Sequence, residues 1–103
     1  MSNYTVYIRP QPFQEIKSLP GNMRQRVRQA IGDLGENPRP FQSKQLDVSF
    51  ELDLWRLRID NWRIVYAISE ADKIVDILTV RKRPPYNYED LGIILADLED
   101  SDD

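Results

Sequence analysis

Six cations and two phenols between residues 56 and 88 are the side chains best suited to chemistry. They are Arg56, Arg58 and Arg63, then Arg81-Lys82-Arg83, then Tyr86 and Tyr88. Guanidinium forks match phosphate oxygens, and tyrosine rings stack on bases splayed out of a single strand. Taken one at a time, such arginines are ordinary solvent-facing residues. Arg81-Lys82-Arg83 also reads as a charged strand end that discourages edge pairing. Three arginines on one hairpin face, with almost no carboxylates alternating among them, point instead to an anionic partner.

That hairpin runs from Trp55 to Tyr66. Asp60-Asn61 is a two-residue link between two alternating runs, and both residue types tolerate the positive φ of hairpin turns. Counting outward pairs Ile59 with Trp62, Arg58 with Arg63, Leu57 with Ile64 and Trp55 with Tyr66. One face then carries Trp55, Leu57, Ile59, Trp62, Ile64 and Tyr66, so both tryptophans belong to a core rather than to a base-stacking platform. The other face carries Arg56, Arg58 and Arg63, with like charges opposed at a cost to the hairpin. Whether Arg81 joins them depends on the next turn. An odd-numbered loop pairs Arg63 with Arg81, and an even-numbered loop pairs Arg63 with Val80. Arg83 falls at the strand exit, beside the Asp60-Asn61 turn.

The elements that must position these residues follow from local pattern. Tyr4 to Ile8 reads as a strand ended by Pro10. Pro12 suits a first helical turn, and Phe13, Ile16 and Leu19 lie at helical spacing. Pro20-Gly21 is a turn and Asn22 an N-cap candidate. Met23, Val27, Ala30, Ile31 and Leu34 mark one face of a second helix stopped at Gly35. Glu36 to Gln45, with Pro38 and Pro40, reads as a loop anchored by Phe41. Phe50, Leu52 and Leu54 alternate, so the first hairpin strand has an early start in view. Its second strand extends to about Ser69, Glu70 to Lys73 is a polar turn, and Ile74 to Arg81 is a last strand covered on both faces. Tyr88, Leu91, Leu95 and Leu98 space a short C-terminal helix. Helices and strands grouped in this way mean α+β: a strand, an antiparallel helical hairpin, a three-stranded antiparallel meander and a short helix. One domain over residues 1–96 is expected, followed by an acidic tail over 97–103.

Composition narrows the chemistry. The chain of 103 residues contains neither cysteine nor histidine. That removes disulfides, thiolate metal sites, and the commonest general base and metal ligand, so neither a metal nor another cofactor is expected. No apolar run reaches transmembrane length and no signal-peptide pattern opens the chain, so a cytoplasmic protein without membrane attachment is expected. The net charge of −3 conceals an asymmetry: five acidic residues crowd positions 97–103, leaving 14 basic against 12 acidic in residues 1–96.

The pattern Trp-Arg-Leu-Arg-Ile-x-x-Trp-Arg-Ile-Val-Tyr (residues 55–66), followed by Val-Arg-Lys-Arg-Pro-Pro-Tyr-x-Tyr (residues 80–88), resembles the RelE/ParE superfamily of bacterial type II toxin–antitoxin modules. Element order extends the resemblance over nearly all of residues 4–98. The RelE branch implies a ribosome-dependent endoribonuclease that cleaves mRNA in the decoding site. Such a toxin is neutralised by a cognate antitoxin, with a toxin–antitoxin heterotetramer as one assembly. The active-site positions carried over are Arg56, Arg58, Arg63, Arg83 and Tyr88, with Tyr86 as a second tyrosine and Arg81 and Lys82 as RNA contacts. The implied reaction uses the RNA's own 2′-OH as nucleophile and leaves a 2′,3′-cyclic phosphate. Arginines stabilise the charge that builds on the phosphorane oxygens.

RelE-type enzymes often have lysines where this chain has Arg56 and Arg58. A guanidinium keeps its proton at ordinary pH, so Arg58 orients a phosphate better than it accepts a proton. The candidates for that step are Tyr86 or Tyr88 as phenolate, Glu89 and Glu51. Two other readings compete: a ParE-like inhibitor of DNA gyrase, and an inactive or regulatory member that binds a partner. The acidic tail reads as a solvated terminus that aids solubility, or as a segment competing with RNA for the arginine face. Competition predicts that deleting residues 97–103 strengthens RNA binding and alters its salt dependence, measured by titration across a salt series. Unchanged affinity and slope exclude that role.

Overall fold

The computed structural model describes residues 3–46 and 52–82. Strand β1 (Thr5–Ile8) leads into helices α1 (Pro10–Lys17) and α2 (Gly21–Asp33). Strands β2 (Ser43–Gln45), β3 (Asp53–Ile59), β4 (Trp62–Ser69) and β5 (Ile74–Lys82) follow. They form one five-stranded sheet in the order β1-β5-β4-β3-β2. β1 runs parallel to β5 and every other pair is antiparallel.

Helix α1 begins where Pro10, with its fixed φ and no N–H, takes the first helical position. Ile16 and Leu19 are buried beneath it, but Phe13 is half exposed, with the Lys17 ammonium 5.5 Å from its ring. In α2, Val27, Ile31 and Leu34 are buried at the helical spacing read from the sequence. The helix starts one residue before Asn22, whose side chain accepts a bond from the next amide, Met23 N–H, at 2.8 Å. Gly35 serves a different purpose from a left-handed cap. Its carbonyl accepts the amides of Asn3 and Tyr4 at 3.0 and 2.8 Å. A Cβ there would stand 3.2 Å from the Tyr4 carbonyl oxygen. Glycine therefore lets the chain entering β1 lie against the end of α2.

The two helices cover one face of the sheet. Leu57, Ile64, Tyr66, Ile68, Val75, Ile77 and Val80 pack with Ile16, Leu19, Val27, Ile31 and Leu34 in a single cluster. Burying such aliphatic side chains stabilises the fold by about 1.5–3 kcal/mol each before conformational entropy is subtracted. β4 and β5 are buried along most of their length on both faces, as the continuous apolar run of β5 foretells. Where β5 runs on past β1, the Glu15 carboxylate accepts the Val80 amide at 2.8 Å and the Thr79 hydroxyl at 2.9 Å. A helix side chain thus satisfies a sheet amide that no strand reaches.

Two expectations for residues 36–45 need correction. Ser43–Gln45 is a strand, not loop, and pairs antiparallel with β3. Three polar residues have no alternation to reveal them; the pairing groups offered by β3 recruit them. Phe41 is 99 % exposed and anchors nothing. Pro38 is the anchor: it is buried, and its carbonyl accepts the Tyr66 hydroxyl at 2.7 Å. β3 begins at Asp53, and residues 47–51 lie outside the described residues. So do the expected C-terminal helix, the acidic tail, Arg83, Tyr86, Tyr88, Glu51 and Glu89.

Burial pushes the Tyr66 phenol up to about 12. The neutral form is thus favoured in the fold, and its stabilising effect is complete below the unfolded pKa near 10. It is lost as pH rises through about 12, by about 2–3 kcal/mol. Denaturant titrations at stepped alkaline pH should show this loss for the wild type. Tyr66→Phe should lack that component, while starting about 1–3 kcal/mol lower because the Pro38 carbonyl loses its donor.

Candidate functional site

Of the two turn residues, Asp60 and not Asn61 adopts the positive φ that both residue types tolerate. Asp60 takes a positive φ of 50°. The register pairs Ile59 with Trp62, Arg58 with Arg63, Leu57 with Ile64, Arg56 with Val65 and Trp55 with Tyr66. Directly opposed residues share a face, so Arg56, Arg58 and Arg63 stand together on the side away from the helices.

The next pairing places Arg81. Ser69 pairs with Ile74, which leaves an even, four-residue loop over Glu70 to Lys73. Continued regularly, that loop would set Arg63 against Val80. A bulge intervenes: Val65 pairs with Thr79 and Tyr66 with Ile77, leaving Leu78 as the extra residue. Beyond it Arg63 pairs with Arg81. Arg58, Arg63 and Arg81 thus form a row across three neighbouring strands, with Arg56 two residues further along β3. Lys82, opposite Trp62, falls by register on the other side of the sheet.

These cations differ in exposure. Arg58 is exposed, Arg56 and Arg81 are half-buried, and Arg63 is only 5 % accessible. The arginine face is therefore not uniformly open, as alternation alone implies. The Arg63 guanidinium folds back on the turn, where its Nη1 donates to the Asp60 and Trp62 carbonyls at 3.0 Å each. The Arg81 Nη2 lies 3.4 Å from Thr79 Oγ1. Asp60 bonds Arg26 of α2 at 2.5 Å. That bond, and secondarily the Arg58 charge, holds the Asp60 carboxyl below its usual range. The turn is thereby tied to the helix layer. An open groove of about 1140 Å³ between α2 and the outer part of β3 is bordered by Arg26, Gln29, Leu34, Leu57, Arg58 and Asp60.

β2 adds a cation that the sequence pattern does not disclose. Lys44 pairs directly with Arg56 and shares its face. Without a pattern for β2, no sequence signal places Lys44 near the hairpin. No cluster of three or more metal-ligating side chains occurs among the described residues. The four arginines on this face, one of them braced by two carbonyls, can bind phosphate oxygens and stabilise charge developing on them, and Lys44 adds a fifth cation beside them.

Comparison with known proteins agrees with this architecture. Residues 7–84 match the family model for the ParE toxin of the type II toxin–antitoxin system parDE. No curated protein sequence matches. Among solved structures, the archaeal RelE–RelB complex from Pyrococcus horikoshii OT3 contains a chain 29% identical to this one. The match covers 82% of this chain and 99% of that chain, with a TM-score of 0.72. The toxin–antitoxin complex RelBE2 from Mycobacterium tuberculosis gives 27% identity, 79% and 99% coverage, and a TM-score of 0.67. The YoeB dimer from Staphylococcus aureus, at 15% identity, 82% and 100% coverage and a TM-score of 0.62, shares the fold. With the family model spanning the helices, the hairpin and the last strand, this chain belongs to the ParE toxin family, within the RelE/ParE superfamily of type II toxin–antitoxin toxins.

Proposed function

We propose that this toxin is a ribosome-dependent mRNA endoribonuclease, held inactive by a cognate antitoxin. The observation that carries the reading is the register that gathers Arg56, Arg58, Arg63 and Arg81 on one sheet face, with Arg63 fixed against the turn carbonyls. In the reaction, the 2′-OH of one nucleotide attacks the adjacent phosphorus and the P–O5′ bond breaks. A 2′,3′-cyclic phosphate remains on one fragment and a 5′-hydroxyl on the other. The 2′-OH gives up its proton, and the departing 5′-oxygen takes one. Arg56, Arg63 and Arg83 stabilise the charge on the non-bridging oxygens, with Arg58 orienting the phosphate. The phenols of Tyr86 and Tyr88 are the nearest candidates in sequence for proton transfer and base stacking. Arg81 and Lys82 complete the RNA-contacting set, although Lys82 lies across the sheet from the arginine row.

An antitoxin partner is supported by the toxin–antitoxin complexes of P. horikoshii and M. tuberculosis, both above 25% identity. A toxin–antitoxin heterotetramer in the cytoplasm is the assembly proposed. No described helix is long and apolar enough to cross a membrane.

The matching family model favours one second reading, a gyrase-inhibiting toxin of the ParE kind. The two readings separate in one set of assays. On translating ribosomes, the endoribonuclease reading expects mRNA fragments ending in 2′,3′-cyclic phosphate. Arg63→Ala should lower their rate of formation by about 10²–10³-fold, the typical cost of one lost charge-stabilising donor. Arg58→Ala, at an exposed position, should reduce cleavage without altering the circular dichroism spectrum. The double variant Arg63→Ala/Arg83→Ala should relieve growth arrest. Inhibition of gyrase supercoiling with intact mRNA would instead establish the ParE-like reading.

A further inference from the structure

The short strand β2 sets one more charge on the arginine face. Lys44 stands directly across from Arg56, and its Cβ lies about 4.5–5.5 Å away at that pairing. Arg58 is its diagonal neighbour at about 7–8 Å. Lys44 is exposed, and no ion pair or side-chain hydrogen bond engages its ammonium among the described residues. The adjacent Gln45 points to the opposite face and donates to Asp53 at 3.0 Å. Asp53 is further engaged by Arg39 at 2.9 Å and by the Trp55 indole at 2.8 Å. The carboxylate nearest in the strand pairing is thus committed elsewhere. Like charges opposed across a ladder destabilise it, and an exposed edge residue faces no packing demand for lysine. β2 lies two strand spacings, about 10 Å, from the Arg63 strand, and Lys44 is one row off the Arg58–Arg63–Arg81 line. By register Lys44 is thus offset from that line by one row on the same face, beside rather than among the three arginines.

We propose that Lys44 is an RNA-binding residue that holds the phosphodiester neighbouring the scissile one, extending the contact from the arginine row to the β2 edge. This rests on the endoribonuclease reading of the same face. Lys44 acts there on binding and has no part in the bond-breaking step. Lysine suits the place because a compact ammonium grips a phosphate as a point charge without needing a forked geometry.

The test uses full-length toxin and mRNA on programmed ribosomes, with single-turnover cleavage followed against toxin concentration at several salt concentrations. Lys44→Ala and Lys44→Gln should raise the half-saturating concentration several-fold. Both should flatten its logarithmic salt dependence by about 0.7, the value of one phosphate contact to a single strand. The saturating rate should stay within about twofold, and Lys44→Arg should restore binding. Lys17→Ala, on the helix layer, is the control with no expected change. A neutral methylphosphonate linkage placed in turn on each side of the cleavage site identifies the phosphate. At one of these positions the Lys44→Ala penalty should vanish; its persistence at both overturns the assignment to a neighbouring mRNA phosphate. Wild-type saturation and salt slope in Lys44→Ala and Lys44→Gln overturn the proposal while the arginine face stands. A saturating rate lost in Lys44→Ala and not restored by Lys44→Arg also overturns it, because the ammonium then takes part in chemistry. No cleavage by the wild type overturns the endoribonuclease reading itself.

Discussion

The bulge where β4 meets β5 governs what this sheet can present. Side chains alternate across a strand, so one unpaired residue reverses the face of everything beyond it. Leu78 is that residue. Before it, Val75 and Ile77 face the helices; after it, Val80 does so again and Arg81 turns to the other side. The apolar cluster and the arginine row are therefore set by the same irregularity. Without it, Arg81 would point into the helix layer and Val80 onto the charged face, each at the cost of burying or exposing the wrong group.

The arginine row is held from beneath and from its end. Leu57, Ile64 and Tyr66 anchor the helix-facing side of the hairpin in the core. At the turn, the strained φ of Asp60 is accommodated because its side chain is engaged by Arg26 and its carbonyl by Arg63. Arg63 thus sits on a braced turn, with its guanidinium held by hydrogen bonds to the Asp60 and Trp62 carbonyls. Preorganisation of this kind is what electrostatic stabilisation of a reacting phosphate requires, since no energy then goes into reorienting the charge. Arg58 beside it is exposed.

Opposed like charges would be a defect in a purely structural hairpin, where each pair costs a few tenths to about 1 kcal/mol. Here the opposition recurs at Lys44–Arg56, Arg58–Arg63 and Arg63–Arg81. Aliphatic packing on the helix-facing side supplies stability, while the opposite side buries Leu54, Val65 and Ala67 and gathers its charges toward the turn. This division lets a small α+β domain tolerate a cationic surface despite its overall negative charge.

Much of this was legible in the residues themselves. Two alternating runs around Asp60-Asn61 determine the hairpin and its register, because a two-residue turn leaves no freedom in the pairing. The apolar spacing of Val27, Ile31 and Leu34 determines the buried face of α2, and the unbroken apolar run of β5 its central place. Tertiary structure alone decided the rest. Counting the even loop after Ser69 yields Arg63 against Val80, and only the long-range fit of β5 between β1 and β4 inserts the bulge that substitutes Arg81. β2 lacks any local pattern and exists because β3 offers it hydrogen bonds, so Lys44 reached the site unseen. Phe41, apolar yet exposed, gave way as loop anchor to Pro38, whose carbonyl meets a buried tyrosine hydroxyl. The near-complete burial of Arg63 is likewise absent from the alternation, which puts it on the face away from the helices. Local periodicity dictates which side of an element is apolar; only the pairing of elements distant in sequence decides which charges share a face.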